Sequence, residues 1–150
     1  MFLRDNLIES GKLFRGVEVL EMKQTKEPEE LVAFITVQSG DDLIVSFAVC
    51  QPDDPSDIES LTILRTPKYE FFLEEWERGA SVSFRRNPER DEKVLLREVF
   101  YAPDEKSVTL RTDHETYNLD VRKVDPRELS AMCRVLRKMN FDSIIQLTGV

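Results

Sequence analysis

The sequence predicts an α+β fold made of two antiparallel β-meander-plus-helix units, ββββα twice, packed as one compact domain. Three observations carry this expectation. Short runs rich in branched and aromatic side chains recur between turn-forming clusters. Two segments, 66–79 and 125–140, have proline in second position and apolar residues at helical spacing. Finally, 150 residues with 41% hydrophobic and 33% charged content suit one globular domain with a real core. The expected organisation is a single domain, 1–150, with structural halves 13–80 and 81–140.

The first half opens on Leu13–Lys23, where Val17 and Val19 share a face opposite Glu18, and a strand is expected. After the charged turn 24–30, Leu31–Gln38 and Leu43–Val49 form the clearest hairpin, joined by Ser39-Gly40-Asp41-Asp42. Both runs are apolar at nearly every position, which predicts burial on both faces, by helices on one side and a partner layer or subunit on the other. The acidic loop 51–57 leads into a further strand, Ile58–Arg65. Thr66-Pro67 then starts the first predicted helix, because threonine can accept a free amide and proline at the first helical position forfeits no bond. Tyr69, Phe72, Leu73 and Trp76 recur at i, i+3, i+4 and i+7 and are expected in the core. Glu70, Glu74, Glu75 and Glu77 supply the wet side, and Gly79 suits a left-handed C-terminal cap.

The second half alternates more cleanly. Ser81–Arg86, Lys93–Tyr101, Ser107–Thr112 and Thr116–Val124 read as strands separated by hairpin turns at 87–92, 102–106 and 113–115. Asp125-Pro126-Arg127-Glu128 resembles a capping box, with Glu128 placed to reach back to the Asp125 amide. Leu129, Met132, Cys133, Leu136 and Met139 make one apolar stripe, and Asn140 suits the left-handed residue that ends the helix. The tail 141–147 is expected to add an edge strand or to dock.

Charge restricts the partners. The net charge is −8, but residues 1–80 carry 8 basic and 17 acidic side chains (−9) whereas 81–150 carry 13 and 12 (+1). A global −8 argues against duplex DNA and against anionic membranes, since affinity for either comes from summed neutralisation of negative charge. The first nine residues hold charged and polar side chains where a leader needs an apolar run, and no stretch approaches the roughly 20 apolar residues that span a bilayer. Cys50 and Cys133 are far apart in sequence and are expected to be small hydrophobes rather than a staple. A cytoplasmic location is therefore expected.

Strand geometry supplies the candidate site. With Val82, Phe84, Val108, Leu110, Tyr117, Leu119 and Val121 inward, alternation sends Ser81, Ser83, Arg85, Thr109, Arg111, Asn118, Asp120 and Arg122 outward. Arg97 and Tyr101 join that face if their strand keeps Val94, Leu96 and Phe100 inward, a register that needs a bulge because it also buries Glu98. Arg85, Arg97, Tyr101, Arg111 and Arg122 are thus the predicted ligand-binding residues: guanidinium offers forked donors and a stacking plane to phosphates, carboxylates or bases. The alternative for the same residues is a solvated sheet face neutralised by Glu98 and Asp120.

Other chemistries lack their residues. Asp53, Asp54, Asp57 and Glu59 miss the alternate spacing and central glycine of an EF-hand, and His114, the sole histidine, has no partner for a zinc site. No catalytic residue, metal or cofactor is assigned. Phosphate-cradling glycine loops and Gly-x-Ser-x-Gly elbows are absent.

Two resemblances are visible. The spacing Arg86-x-x-x-Arg90 resembles the arginine pair of PilZ cyclic-dinucleotide receptors, but the following Asp/Asn-x-Ser-x-x-Gly of that family is missing, so the resemblance covers five residues. Tandem ββββα order resembles PUR-repeat and Whirly-type proteins, which implies single-stranded nucleic-acid binding on a sheet face. The function expected is a non-catalytic binding or assembly module whose partner is another protein or a second copy of the chain. Its alternatives are single-stranded nucleic-acid binding on the arginine-bearing face and a small-molecule enzyme without a recognisable motif.

Overall fold

The structure, a computed structural model, describes residues 29–84 and 93–150. The strand expected at 13–23, Arg85, and the Arg86/Arg90 pair lie outside the described residues. Eight strands occur: β1 Glu30–Ser39, β2 Leu43–Cys50, β3 Ile58–Arg65, β4 Ser81–Phe84, β5 Leu96–Ala102, β6 Ser107–Thr112, β7 Thr116–Asp120 and β8 Gln146–Thr148. They form one mixed sheet in the order β4-β3-β2-β1-β7-β6-β5-β8, with a single α-helix among the described residues, α1 at Pro126–Met139.

The expectation of two antiparallel ββββα units is therefore corrected. The two halves share one sheet, joined where Glu30 and Leu31 of β1 pair in parallel with Leu119 and Asp120 of β7. A second parallel pair attaches β8 to β5, so the tail does add a short strand. The sheet also comes round on itself: Val82 N donates to Val94 O at 2.8 Å and Leu96 N to Ala80 O at 2.8 Å, with Ser81 bridged to Leu95. Curling satisfies backbone groups that two separate open meanders would leave on their edges.

The first half lacks the predicted helix. Residues 66–79 instead form two 3₁₀ segments, Pro67–Phe72 and Glu75–Glu77. The reason is a buried charge. Arg65, at the end of β3, takes Glu70 inward, so the 3₁₀ turn carries Tyr69, Phe71 and Phe72 to solvent instead of to the core. Gly79 follows with φ +143, a backbone that L side chains rarely adopt, before the chain enters β4.

The predicted hairpin is present, with Val37 opposite Val45 and Ile35 opposite Phe47. Within this single chain the burial lies mainly on one face. Val32, Ile35, Val45, Phe47 and Val49 join the core with Leu61 and Ile63 of β3, whereas Phe34, Ile58 and Leu64 are exposed. Outward between them Ser46 Oγ and Thr62 Oγ1 lie 3.2 Å apart, so this face is a hydroxyl row edged by apolar residues.

Helix α1 matches its sequence signals. Asp125 Oδ1 accepts from Arg127 N at 2.8 Å, Pro126 starts the helix, and Met132, Cys133, Leu136 and Met139 are buried against β1 and β2. Glu128 departs from the capping box. Its Oε1 accepts from Ile35 N at 2.9 Å, on the stretch of β1 beyond the two residues that β7 pairs. Asn140 also departs, with φ −95; its amide exchanges two 2.8 Å bonds with the Ile145 backbone and so pins the chain leading to β8.

Candidate functional site

Of the predicted arginines, Arg97, Arg111 and Arg122 are among the described residues, and each is matched by a carboxylate. In β6, Val108 and Leu110 are buried while Arg111 is exposed, as alternation requires. A register shift between Leu96 and Glu98 supplies the bulge in β5, and Glu98 stands opposite Arg111. Arg111 Nε then donates to Glu98 Oε1 at 2.9 Å. Arg97 donates to Asp113, which also accepts from the Leu95 amide, and Arg122 Nε lies 3.3 Å from Asp120 Oδ2. Each described arginine of the predicted set thus carries its own carboxylate. Tyr101 is not with them: it is half-buried, packs against the core and lines a cleft beside α1 with Cys133. Burial pushes the Tyr101 phenol and the Cys133 thiol above their ordinary values, the latter despite the nearby Arg137 charge, so both stay protonated at neutral pH. Both cysteines are free.

In the acidic loop the Asp54 carboxylate serves the turn. Asp54 Oδ1 accepts from Ser56 Oγ at 2.7 Å and Ser56 N at 3.1 Å, and these bonds hold its pKa below the ordinary value. No group of three or more metal-ligating side chains occurs among the described residues. Thr112 Oγ1 accepts from His114 N and Glu115 N, so the His114 segment is an ordered turn.

A different surface stands out. Arg65 is 1% exposed and uses all five guanidinium donors. Nε and Nη2 hold Glu70 at 2.7 and 2.9 Å; Nη1 and Nη2 hold Asp142 at 3.0 and 2.7 Å; Nη1 also donates to Met139 O at 2.7 Å. The Phe141 ring covers it, 4.2 Å from the guanidinium carbon. Burial pulls the Arg65 pKa down, but Glu70 and Asp142 outweigh it and raise it; Arg65 in turn holds Asp142 below the ordinary carboxylate range. One side chain thus ties together the end of β3, the 3₁₀ segment, the last turn of α1 and the tail.

On that anchor stands an aromatic ledge. Tyr69, Phe71, Phe72 and Trp76 are 52, 69, 73 and 75% exposed. Phe71 and Phe72 lie with centroids 4.1 Å apart, and Tyr69 lies 6.4 Å from Phe72. Thr66 Oγ1 donates to Asp42 Oδ1 at 2.7 Å, and Arg78 donates to Leu73 O at 3.0 and 3.2 Å, so both ends of the segment are fixed. Glu74 and Glu75 beside the aromatics are exposed and make no ion pair among the described residues. The helical spacing singles out Tyr69, Phe72 and Trp76, though it places them inside, and does not include Phe71. The sequence signal of Arg65 is slight, an arginine closing a strand that alternates Leu61 and Ile63 with polar residues, five residues before a glutamate.

No family model matches the chain, and no curated protein or solved structure is significantly similar to it. The topological analogy to PUR and Whirly proteins rested on tandem ββββα units and falls with them. Among the described residues no helix is long and apolar enough to cross a membrane.

Proposed function

We propose that the chain is a non-catalytic binding module that docks another protein through the aromatic ledge of residues 66–77. The observation that carries the reading is the exposure of four consecutive-turn aromatics on a segment fixed by a fully bonded buried arginine. Exposed aromatics on a pre-ordered segment lose little conformational freedom on binding, and tryptophan and tyrosine dominate interface energetics. Charge selects the partner. Glu74 and Glu75 flank the ledge without cations of their own, which favours a partner bearing lysine or arginine beside its apolar anchors. A second copy of the chain would oppose these carboxylates across a two-fold axis, so a different protein fits better than self-association. Two free cysteines suit a partner met in a reducing compartment, the cytoplasm being the location proposed.

Nucleic-acid binding on the β5–β7 face is not the reading adopted, because Arg97, Arg111 and Arg122 are already held by Asp113, Glu98 and Asp120. The test uses a synthetic amphipathic Leu/Lys peptide and its Leu/Glu counterpart. Binding of the first, weakened by salt and lost in Phe72→Ser/Trp76→Ser, is the expected result. Equal binding of both peptides, or no change in the double variant, would overturn the proposal.

A further inference from the structure

The cleft that holds Tyr101 is a second site, independent of the ledge. It has a volume of about 470 Å³, within the range of small-molecule sites, and lies between α1 and the turn joining β5 to β6. Its apolar surface comes from Tyr101, Leu129 and Cys133, and its charge from Lys106, Arg134 and Arg137.

Those cations are unusual for this chain. Among the described residues Arg65, Lys68, Arg97, Arg111, Arg122 and Arg127 make ion pairs. Arg78, Lys93 and Lys138 donate to backbone or hydroxyl oxygens. Only Lys106, Lys123, Arg134 and Arg137 have neither an ion pair nor a side-chain hydrogen bond, and three of these four line this one cleft. Proximity to the negative end of α1 accounts for Arg137 favouring the helix, but not for Arg134, a turn earlier, or for Lys106, which comes from another element. Lys106 is held in place: its backbone adopts φ 54, its amide bonds Pro103 O at 3.2 Å, and its carbonyl accepts from Val121 N at 2.9 Å. The half-buried Tyr101 hydroxyl also has no hydrogen-bond partner among the described residues.

We infer that this cleft binds a small amphipathic anion, its carboxylate or phosphate head held by Lys106, Arg134 and Arg137 and its apolar body laid on Tyr101, Leu129 and Cys133. Three cations line this one cleft and no carboxylate side chain does, so a bound anion would supply the charge partner that its lining lacks. The apolar floor between helix and sheet then selects against simple inorganic anions, which bury nothing there.

The test titrates the whole protein with octanoate, octyl phosphate, octanol and inorganic phosphate, followed by amide chemical shifts. Saturable binding of octanoate or octyl phosphate with shifts at Tyr101, Lys106, Cys133 and Arg137 is expected, and the tighter of the two identifies the head group. Arg134→Gln/Arg137→Gln should weaken binding by about tenfold or more, the scale of one lost charged hydrogen bond, and Lys106→Gln, on a different element, should weaken it independently. Lys123→Gln, the free cation elsewhere, should leave it unchanged. Octanol binding as well as octanoate, inorganic phosphate binding as well as octyl phosphate, no saturable binding at millimolar concentration, or an equal loss in Lys123→Gln would each overturn the assignment.

Discussion

Replacing Arg65 by methionine keeps the volume and removes the charge. What remains is Glu70, whose side chain is 11% exposed, without the cation that gave it two bonds. Removing one partner of a buried ion pair costs about 3–5 kcal/mol, because the other charge is left desolvated and uncompensated. Asp142 adds less: its side chain is 33% exposed and regains water once released. Met139 O loses a charged donor at the end of α1. The expected destabilisation of Arg65→Met is therefore about 3–5 kcal/mol, most of it owed to Glu70. Arg65→Met/Glu70→Leu removes the stranded charge and should recover all but about 1–2 kcal/mol, the scale of the carbonyl left unbonded. Urea unfolding at neutral pH measures both, with equal slopes for the variants indicating that the same surface unfolds. A cost below about 1 kcal/mol for Arg65→Met, or a double variant no more stable than the single one, would refute the clamp as the anchor of residues 66–77.

Acid should loosen the same clamp from its outer side. Asp142 is held low by Arg65, so its contribution is fully present above the ordinary aspartate value of about 3.9 and is lost as pH falls below it. Stability followed from pH 7 downward should show that loss in the native chain and not in Asp142→Asn. Asp125→Ala removes the N-terminal cap of α1 and should cost about 1 kcal/mol by urea unfolding. Phe72→Ser should cost no more than about 1.5 kcal/mol, the upper value of its ring contact with Phe71, rather than the roughly 3–5 kcal/mol of a core aromatic. Asn140→Ala breaks both bonds to Ile145, so amide exchange at β8 should accelerate while β2 stays protected.

Local signals in the sequence were legible where one element decides its own conformation. The alternation Val108, Leu110 placed β6, and Asp125-Pro126 with the Met132–Met139 stripe placed α1 almost to the residue. The bulge in β5 followed from the conflict of a strict alternation that would bury Glu98 and expose Leu95 and Val99, both of which are buried. Pairing between distant elements was not legible. Nothing local marks the parallel contact of Glu30–Leu31 with β7, which merges the halves into one sheet. The 66–79 segment misled for a specific reason: helical spacing assigns apolar residues inward, and a single buried arginine outweighs that rule by drawing in Glu70. Alternation gave the outward position of Arg111, but it put Phe100 inward and Tyr101 outward where the bulge leaves Phe100 exposed and Tyr101 against the core, and the pairing of the arginines depended on the register that sets Glu98 opposite Arg111 and on the turn that presents Asp113.

Trp76 is the chain's sole tryptophan and sits on the ledge, so its fluorescence reports the proposed docking surface without any label. The free protein should emit like tryptophan in water, be quenched readily by acrylamide, and keep that spectrum as protein concentration rises. Adding the Leu/Lys peptide should shift the emission to the blue and protect it from acrylamide. A free protein whose Trp76 is already shielded, or a peptide that binds and leaves the spectrum untouched, would contradict the account.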